Sequence, residues 1–159
     1  MPEHRTDRPP LSRRVSFLVS QIGSRSAQKF TDRLAPLGLR PSQFGLLVAL
    51  SGGGGMSQQQ LADTIGVHRN VMVGLVDGLE ARGLVQRRAH PNDRRAHAVH
   101  LTAEAQDLMR QADQLADEQE ADLLAGLSPA EAAQLLDLLQ RMADHNGLTP
   151  GIHPGLQRD

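Results

Sequence analysis

The chain has 159 residues, a net charge of −1, 39% hydrophobic and 2% aromatic residues, and no Cys, Trp or Tyr. That length suits one domain with helical extensions, and a core drawn from Leu, Val, Ala and Met favours helices. The lack of Cys excludes disulfides, thiolate metal sites and thiol redox sensing. No apolar run nears the roughly 18 residues of a membrane span. The start, MPEHRTDRPP, sets charges and prolines where a signal peptide needs an apolar stretch, so a cytoplasmic protein with a flexible tail over 1–10 is expected. Charge is unevenly spread: residues 1–101 hold 14 Lys or Arg against 7 Asp or Glu, and residues 102–159 hold 3 against 11. A basic front and an acidic back suit a molecule with one face toward a polyanion.

In chain order, Leu11 to Leu34 reads as one long helix, with Leu11, Val15, Leu18, Val19 and Ile22 at helical spacing. Pro36 and Gly38 end it. Pro41 to Leu50 is a second helix opening on proline, with Phe44, Leu47 and Val48 inward. Ser51 and four glycines follow as a linker, since they lack the Gly-Lys-Ser/Thr of a phosphate loop. Ser57 with Gln60 is a capping box for a short helix to Ile65. Gly66 then turns the chain into a helix from Val67 or His68 to Ala81, stopped by Gly83. Met72, Leu75, Val76 and Leu79 form its buried stripe. Two short helices joined at Gly66-Val67 make a helix-turn-helix.

Leu84 to His90 and Ala96 to Leu101 are predicted strands around a Pro91-Asn92-Asp93 turn. Thr102 caps a helix from Ala103 to about Gly126, with Leu108, Ala112, Leu115 and Ala116 on its apolar side. Ser128-Pro129-Ala130-Glu131 opens the last helix as a capping box, lined by Leu135, Leu136, Leu139 and Met142 and ended by Gly147 and Pro150. The fold class is therefore mainly α. A winged helix-turn-helix over 37–101 carries a two-stranded wing, flanked by helices over 11–36 and 102–147, with a loose tail at 148–159. The flanking helices are amphipathic and need a partner; a second copy of the chain is the simplest one, so they are expected to dimerise.

With its stripe buried, the helix over 67–81 presents Arg69, Asn70, Val73, Gly74 and Asp77. Arginine suits guanine O6 and N7, asparagine suits adenine N6 and N7, and valine suits a thymine methyl. Gly74 permits close approach. His68 stands at the helix N-terminus, where a phosphate is also favoured. Asp77 belongs at the groove edge or against an arginine. Arg87 and Arg88 are adjacent on a strand and face opposite sides, so at most one touches DNA directly. Arg94, at the turn, suits a narrow minor groove. Ser42, Ser57 and Gln59, at helix starts, offer phosphate hydrogen bonds, although capping alone explains Ser57. The alternatives are a solvated helix face and an ordinary charged turn.

Seven histidines raise the question of metal. His97 and His100 lie three apart on a strand and face opposite sides, and no Cys or HxxxH pair supports His90, His145 or His153. No metal site and no cofactor are expected. Nor is there a nucleophile–base pair, an HExxH or a phosphate loop, so the chain does not read as an enzyme. A winged helix that binds protein instead of DNA remains the alternative.

The stretch Leu37-Gly38-Leu39-Arg40-Pro41-Ser42-Gln43-Phe44 with Leu47, Leu61-Ala62, the run Leu75 to Val85 with Arg87, then Asp93-Arg94-Arg95 and Leu101-Thr102 resembles the MarR-type transcriptional regulators. Order and spacing hold from about residue 37 to 109. The chain departs at Arg40, where the family often has Thr, at Asn70, Val71 and Val73, where it favours Ser and Thr, and at Ala105, where Gly is usual. The resemblance implies a dimeric winged-helix repressor on a palindromic operator of double-stranded DNA. It also implies a wing in which Asp93 orients one arginine and Arg95 meets the backbone. Such proteins commonly release DNA when a small aromatic or phenolic acid binds between the DNA lobe and the dimer helices. By resemblance Phe30, Gln43, Phe44 and Leu47 border that crevice, although in a chain with three aromatics Phe44 reads first as core. The absence of Cys and Trp separates the chain from the peroxide- and urate-responsive branches. The implied mechanism is a change in the spacing of the two recognition helices.

Overall fold

Arg14 divides the expected first helix. Its extended backbone (φ −101°, ψ 121°) separates a short 3₁₀ turn, Leu11–Arg13, from α1, Val15–Leu34. The computed structural model describes residues 9–90 and 93–153, with the backbone alone at residues 90 and 93–96. After α1 come α2 (Pro41–Leu50), β1 (Met56–Ser57), α3 (Gln58–Ile65), α4 (Arg69–Ala81), β2 (Val85–His90), β3 (Asp93–Leu101), α5 (Ala103–Leu124) and α6 (Pro129–His145). Among the described residues no helix is long and apolar enough to cross a membrane.

The expected helix starts are present with their caps. Ser57 Oγ accepts from Gln60 N–H, Thr102 Oγ1 from Ala105 N–H and Ser128 Oγ from Glu131 N–H. Each satisfies a donor that the first helical turn leaves without a partner. Arg40 offers α2 no side-chain cap, but the Gln43 amide oxygen reaches back to accept from Arg40 N–H at 3.0 Å. At the other ends, Gly66 and Gly83 take left-handed backbone (φ 73° and 71°). That conformation lets Val67 N–H bond Ala62 O and Leu84 N–H bond Leu79 O, which closes α3 and α4.

The sheet has three strands rather than the expected two, in the order β1-β3-β2 and antiparallel throughout. Gly53, Gly54 and Gly55 all have positive φ and bend the chain back, so that Met56 lies opposite Val99 and Ser57 opposite Ala98. The four-glycine stretch is thus a shaped turn, and the His100 ring occupies the space where a Cβ on Gly55 would stand. A two-residue strand has no periodicity to read. Strand β3 also begins at Asp93, three residues before its expected start, so Asp93, Arg94 and Arg95 belong to strand backbone and not to a turn. A register shift between Ala89 and His90 marks the ladder toward the hairpin end. Pro91 and Asn92 lie outside the described residues.

The core joins α2, α3, α4, the sheet and the first half of α5. Leu34, Leu46, Leu47, Leu61, Met72, Val76, Leu79 and Val99 are fully buried there, with Ala105, Met109 and Ala112 from α5. Each large side chain so buried contributes on the order of 1.5–3 kcal/mol. The predicted stripe of α4 is buried at all four positions. The expected apolar side of α5 is rotated, because Ala105, Met109 and Ala112 face the core while Leu108 and Leu115 are only half-buried. Outside this core, α6 has no buried residue and α1 has only Leu34.

Candidate nucleic-acid interface

One side of α4 is locked into the core, and helical geometry therefore turns Arg69, Asn70, Val73, Gly74 and Asp77 outward; all five are exposed. His68 is the N-cap, and its Nδ1 accepts from Asn70 N–H at 3.3 Å. With Nδ1 turned to the helix, it is Nε2 that faces away from this cap. Gly74 and Gly78 sit in the middle of this helix. A Cβ at Gly74 would meet nothing within 4 Å, so the chain's own packing does not demand glycine there.

The wing is bound to α4 by Arg87. Its guanidinium pairs with Asp77 and Glu80, and its backbone N–H donates to Glu80 Oε1 at 3.1 Å. Burial pulls the Arg87 pKa down, but the two carboxylates outweigh it and hold the group above its ordinary value. Of the two expected positions for Asp77, pairing with an arginine is the one observed. Arg87, expected among the DNA contacts, thus has its charge already paired within its own chain. Arg88 is exposed and lies against the Gln86 side-chain amide. The side chains of Asp93, Arg94 and Arg95, expected to meet DNA, lie outside the described residues.

Ser42, the helix-start serine expected to offer a phosphate hydrogen bond, is only 3% exposed in the first turn of α2. Gln59 is exposed at the start of α3 and donates to Asp63 Oδ1 at 2.9 Å. Among the described residues no group of three or more His, Asp or Glu gathers as a metal site.

The four residues expected to border a ligand crevice pack within the chain. Leu47 is fully buried and Gln43 caps α2. Phe30 and Phe44 meet edge to face, with ring centroids 5.5 Å apart, and pack against the core. An open groove of about 480 Å³ lies between α1 and α5, lined by Ile22, Arg25, Ser26, Lys29, Gln119 and Leu123, among others. Gln119 Nε2 bonds Ser26 Oγ at 3.2 Å across it, and Arg33 pairs with Glu118 and Asp122 beside it. Gln21, Arg25 and Lys29 follow one another at helical spacing, a polar stripe that sequence reasoning passed over in favour of the apolar one on the same helix.

Helix-turn-helix, three-stranded wing and an outward-facing second helix define a winged helix-turn-helix protein. The MarR family model matches residues 37–96. A MarR-family transcriptional regulator from Rhodococcus sp. RHA1 is 31% identical, with 86% of this chain and 98% of that one covered and a TM-score of 0.73. The proposed transcriptional regulatory protein for the hcr operon of Thauera aromatica is 34% identical, covering 71% of this chain and 68% of its own. CouR from Rhodococcus jostii RHA1, solved with p-coumaroyl-CoA, is 33% identical, with 86% and 96% covered and a TM-score of 0.72. A structure of the repressor CouR on a 23-mer DNA duplex gives 32%, 84%, 94% and 0.74 in the same order. The chain belongs to the MarR family of transcriptional regulators.

The ion-pair triad makes a measurable claim. Because the Arg87 side chain is about a quarter exposed and its partners more so, a double-mutant cycle of Arg87→Met and Glu80→Gln should give a coupling of about 1 kcal/mol in urea unfolding at fixed protein concentration. Additive losses would mean that the wing is held to α4 by backbone and core alone.

Proposed function

We propose that this regulator is a homodimeric repressor that reads an inverted repeat in double-stranded DNA and acts in the cytoplasm. Each α4 would enter one major groove, with half-sites about one helical turn apart. The observation that carries this reading is the outer face of α4. Arg69, Asn70 and Val73 stand there over a rigid apolar base, and two of the three have the bidentate chemistry that base edges require. Gly74 adds to it. An exposed helical glycine costs roughly 1 kcal/mol against alanine, and nothing within the chain explains it, whereas backbone pressed toward a groove would.

Arg88, Arg94 and Arg95 supply the phosphate and minor-groove contacts in this reading, with Asp93 orienting one of them. Gln59 and the Nε2–H of His68 reach phosphates at the starts of α3 and α4. The second copy is supported by the apolar surface left bare on the outer helices. Val15 is 64% exposed, Ile22 52% and Leu136 57%, with Leu18, Val19, Leu139 and Met142 beside them. Exposure on that scale marks an interface.

For the effector we propose a small aromatic acid or its thioester, seated in the α1–α5 groove. Ile22 and Leu123 offer it apolar surface. Arg25 and Lys29, which have no carboxylate within ion-pair distance among the described residues, meet its anionic end. The ligand named for CouR supports that class. In a gel-shift screen of aromatic carboxylates and their CoA thioesters, a compound that releases the parent should fail to release Arg25→Ala. Unchanged release would move the site back toward Phe30 and Phe44.

The deciding experiment is a footprint and gel-shift on the gene's own upstream intergenic DNA at several salt concentrations. Protection of an inverted repeat, with affinity falling steeply as salt rises, is expected. No binding at any salt overturns the reading. On that site Arg69→Ala should cost about 1–3 kcal/mol and relax specificity locally, while Arg94→Ala should weaken all sequences and lower the salt slope by about 1. Gly74→Ala should raise the unfolding midpoint and yet weaken operator binding; stabilisation with full affinity would show that the DNA does not press on this position.

A further inference from the structure

We infer that residues 147–153 form an intrachain strap that pins the turn of the helix-turn-helix to the end of α6. Helix α6 itself has no buried residue, yet the segment after it is shaped and lands on a defined place. Asn146 closes the helix with Nδ2 on Met142 O at 2.7 Å, and Gly147 (φ 68°) lets Leu148 N–H bond Ala143 O at 3.0 Å. A further turn, with Ile152 N–H on Thr149 O at 3.2 Å and Gly151 at φ 76°, brings Ile152 back toward the DNA-reading lobe. Its side chain, half-buried, covers Gly66.

Gly66 has two reasons to be glycine. Its φ of 73° closes α3, and a Cβ there would overlap Ile152 Cγ2 and stand 3.5 Å from Ile152 Cβ. Only the second reason involves the tail. The contact lies one residue before Val67, which is buried, and two before His68, the N-cap of α4. A side chain seated there joins the outer helices to the base of α4 by a route that bypasses α5. It restricts where the N-terminal end of α4, with Arg69 and Asn70, stands relative to α6. Loss of the strap leaves that end free to sample positions that do not match a fixed half-site spacing, which lowers the fraction of molecules competent to bind.

The full chain has no cysteine, so Gly66→Cys with Ile152→Cys introduces its only two thiols. The Cβ separation of 3.5 Å lies at the short end of the range disulfides accept. Mild oxidation of dilute protein should give a crosslink within one chain, seen by intact mass and non-reducing electrophoresis. Free thiols, or crosslinks only between chains, overturn the strap. Because a cysteine at that backbone conformation is strained, Ile152→Ser supplies an independent arm. It should shift the Gly66 and Val67 amide resonances, and unchanged resonances overturn the contact. On the operator, Ile152→Ser should bind roughly 3- to 10-fold more weakly with an unchanged salt slope, since no charge is removed. Parent-like affinity would overturn the coupling. This last arm rests on the proposed DNA reading, whereas the crosslink and the resonances do not. A parent that fails to bind DNA would therefore sink that reading and leave the strap decided by the first two arms.

Discussion

Everything at the candidate interface depends on the burial of one side of α4. Met72, Leu75, Val76 and Leu79 are held against α2, α3 and the sheet. Because a helix is rigid about its axis, fixing that stripe also fixes the direction of every other side chain on it. Arg69, Asn70, Val73 and Asp77 face outward for no local reason of their own. The ends are fixed with equal economy: the left-handed glycines at 66 and 83 close the neighbouring turns, and Arg82 donates to Gly38 O at 2.6 Å and Leu37 O at 3.0 Å, tying the end of α4 to the turn between α1 and α2. A rotation of α4 large enough to redirect Arg69 would have to expose part of this stripe, at a cost of kilocalories per side chain.

Around that fixed helix the charges divide into those used internally and those left available. Arg87 is consumed by Asp77 and Glu80, Arg82 by two carbonyls, and Arg33 by Glu118 and Asp122. Arg69, Arg25 and Lys29 have no such partner among the described residues. The internal pairs link elements (wing to α4, α1 to α5), and the available ones lie on the outer face of α4 and along the α1–α5 groove. The net charge of −1 conceals this division completely, since the acidic surplus lies beyond residue 101.

Membership of the MarR family gives the proposed dimer and the proposed DNA contact one common frame for the bare apolar helices and the outward α4. Three contacts tie pieces of the chain together at a finer level: Gln43 serves as the cap that Arg40 cannot supply, Gly55 makes room for His100, and Ile152 rests on Gly66.

Much of the architecture was legible in the amino-acid sequence. The capping boxes at Ser57 and Ser128, the Thr102 cap, the glycine stops at 66 and 83 and the stripe of α4 are all decided within a few residues, by backbone donors that need partners and by the helical period. Those local rules also implied which residues α4 shows to the outside. What they could not decide is anything set by residues distant along the chain. The two-residue strand β1 exists only because β3 lies beside it. Ser42 is hidden and Arg87 is occupied only because other elements close over them, and the groove at Arg25 and Lys29 exists only because α5 packs beside α1. A polar side chain near a helix start or on a strand has the same local pattern whether it faces solvent or a carboxylate, and only the packing of the remote elements distinguishes the two.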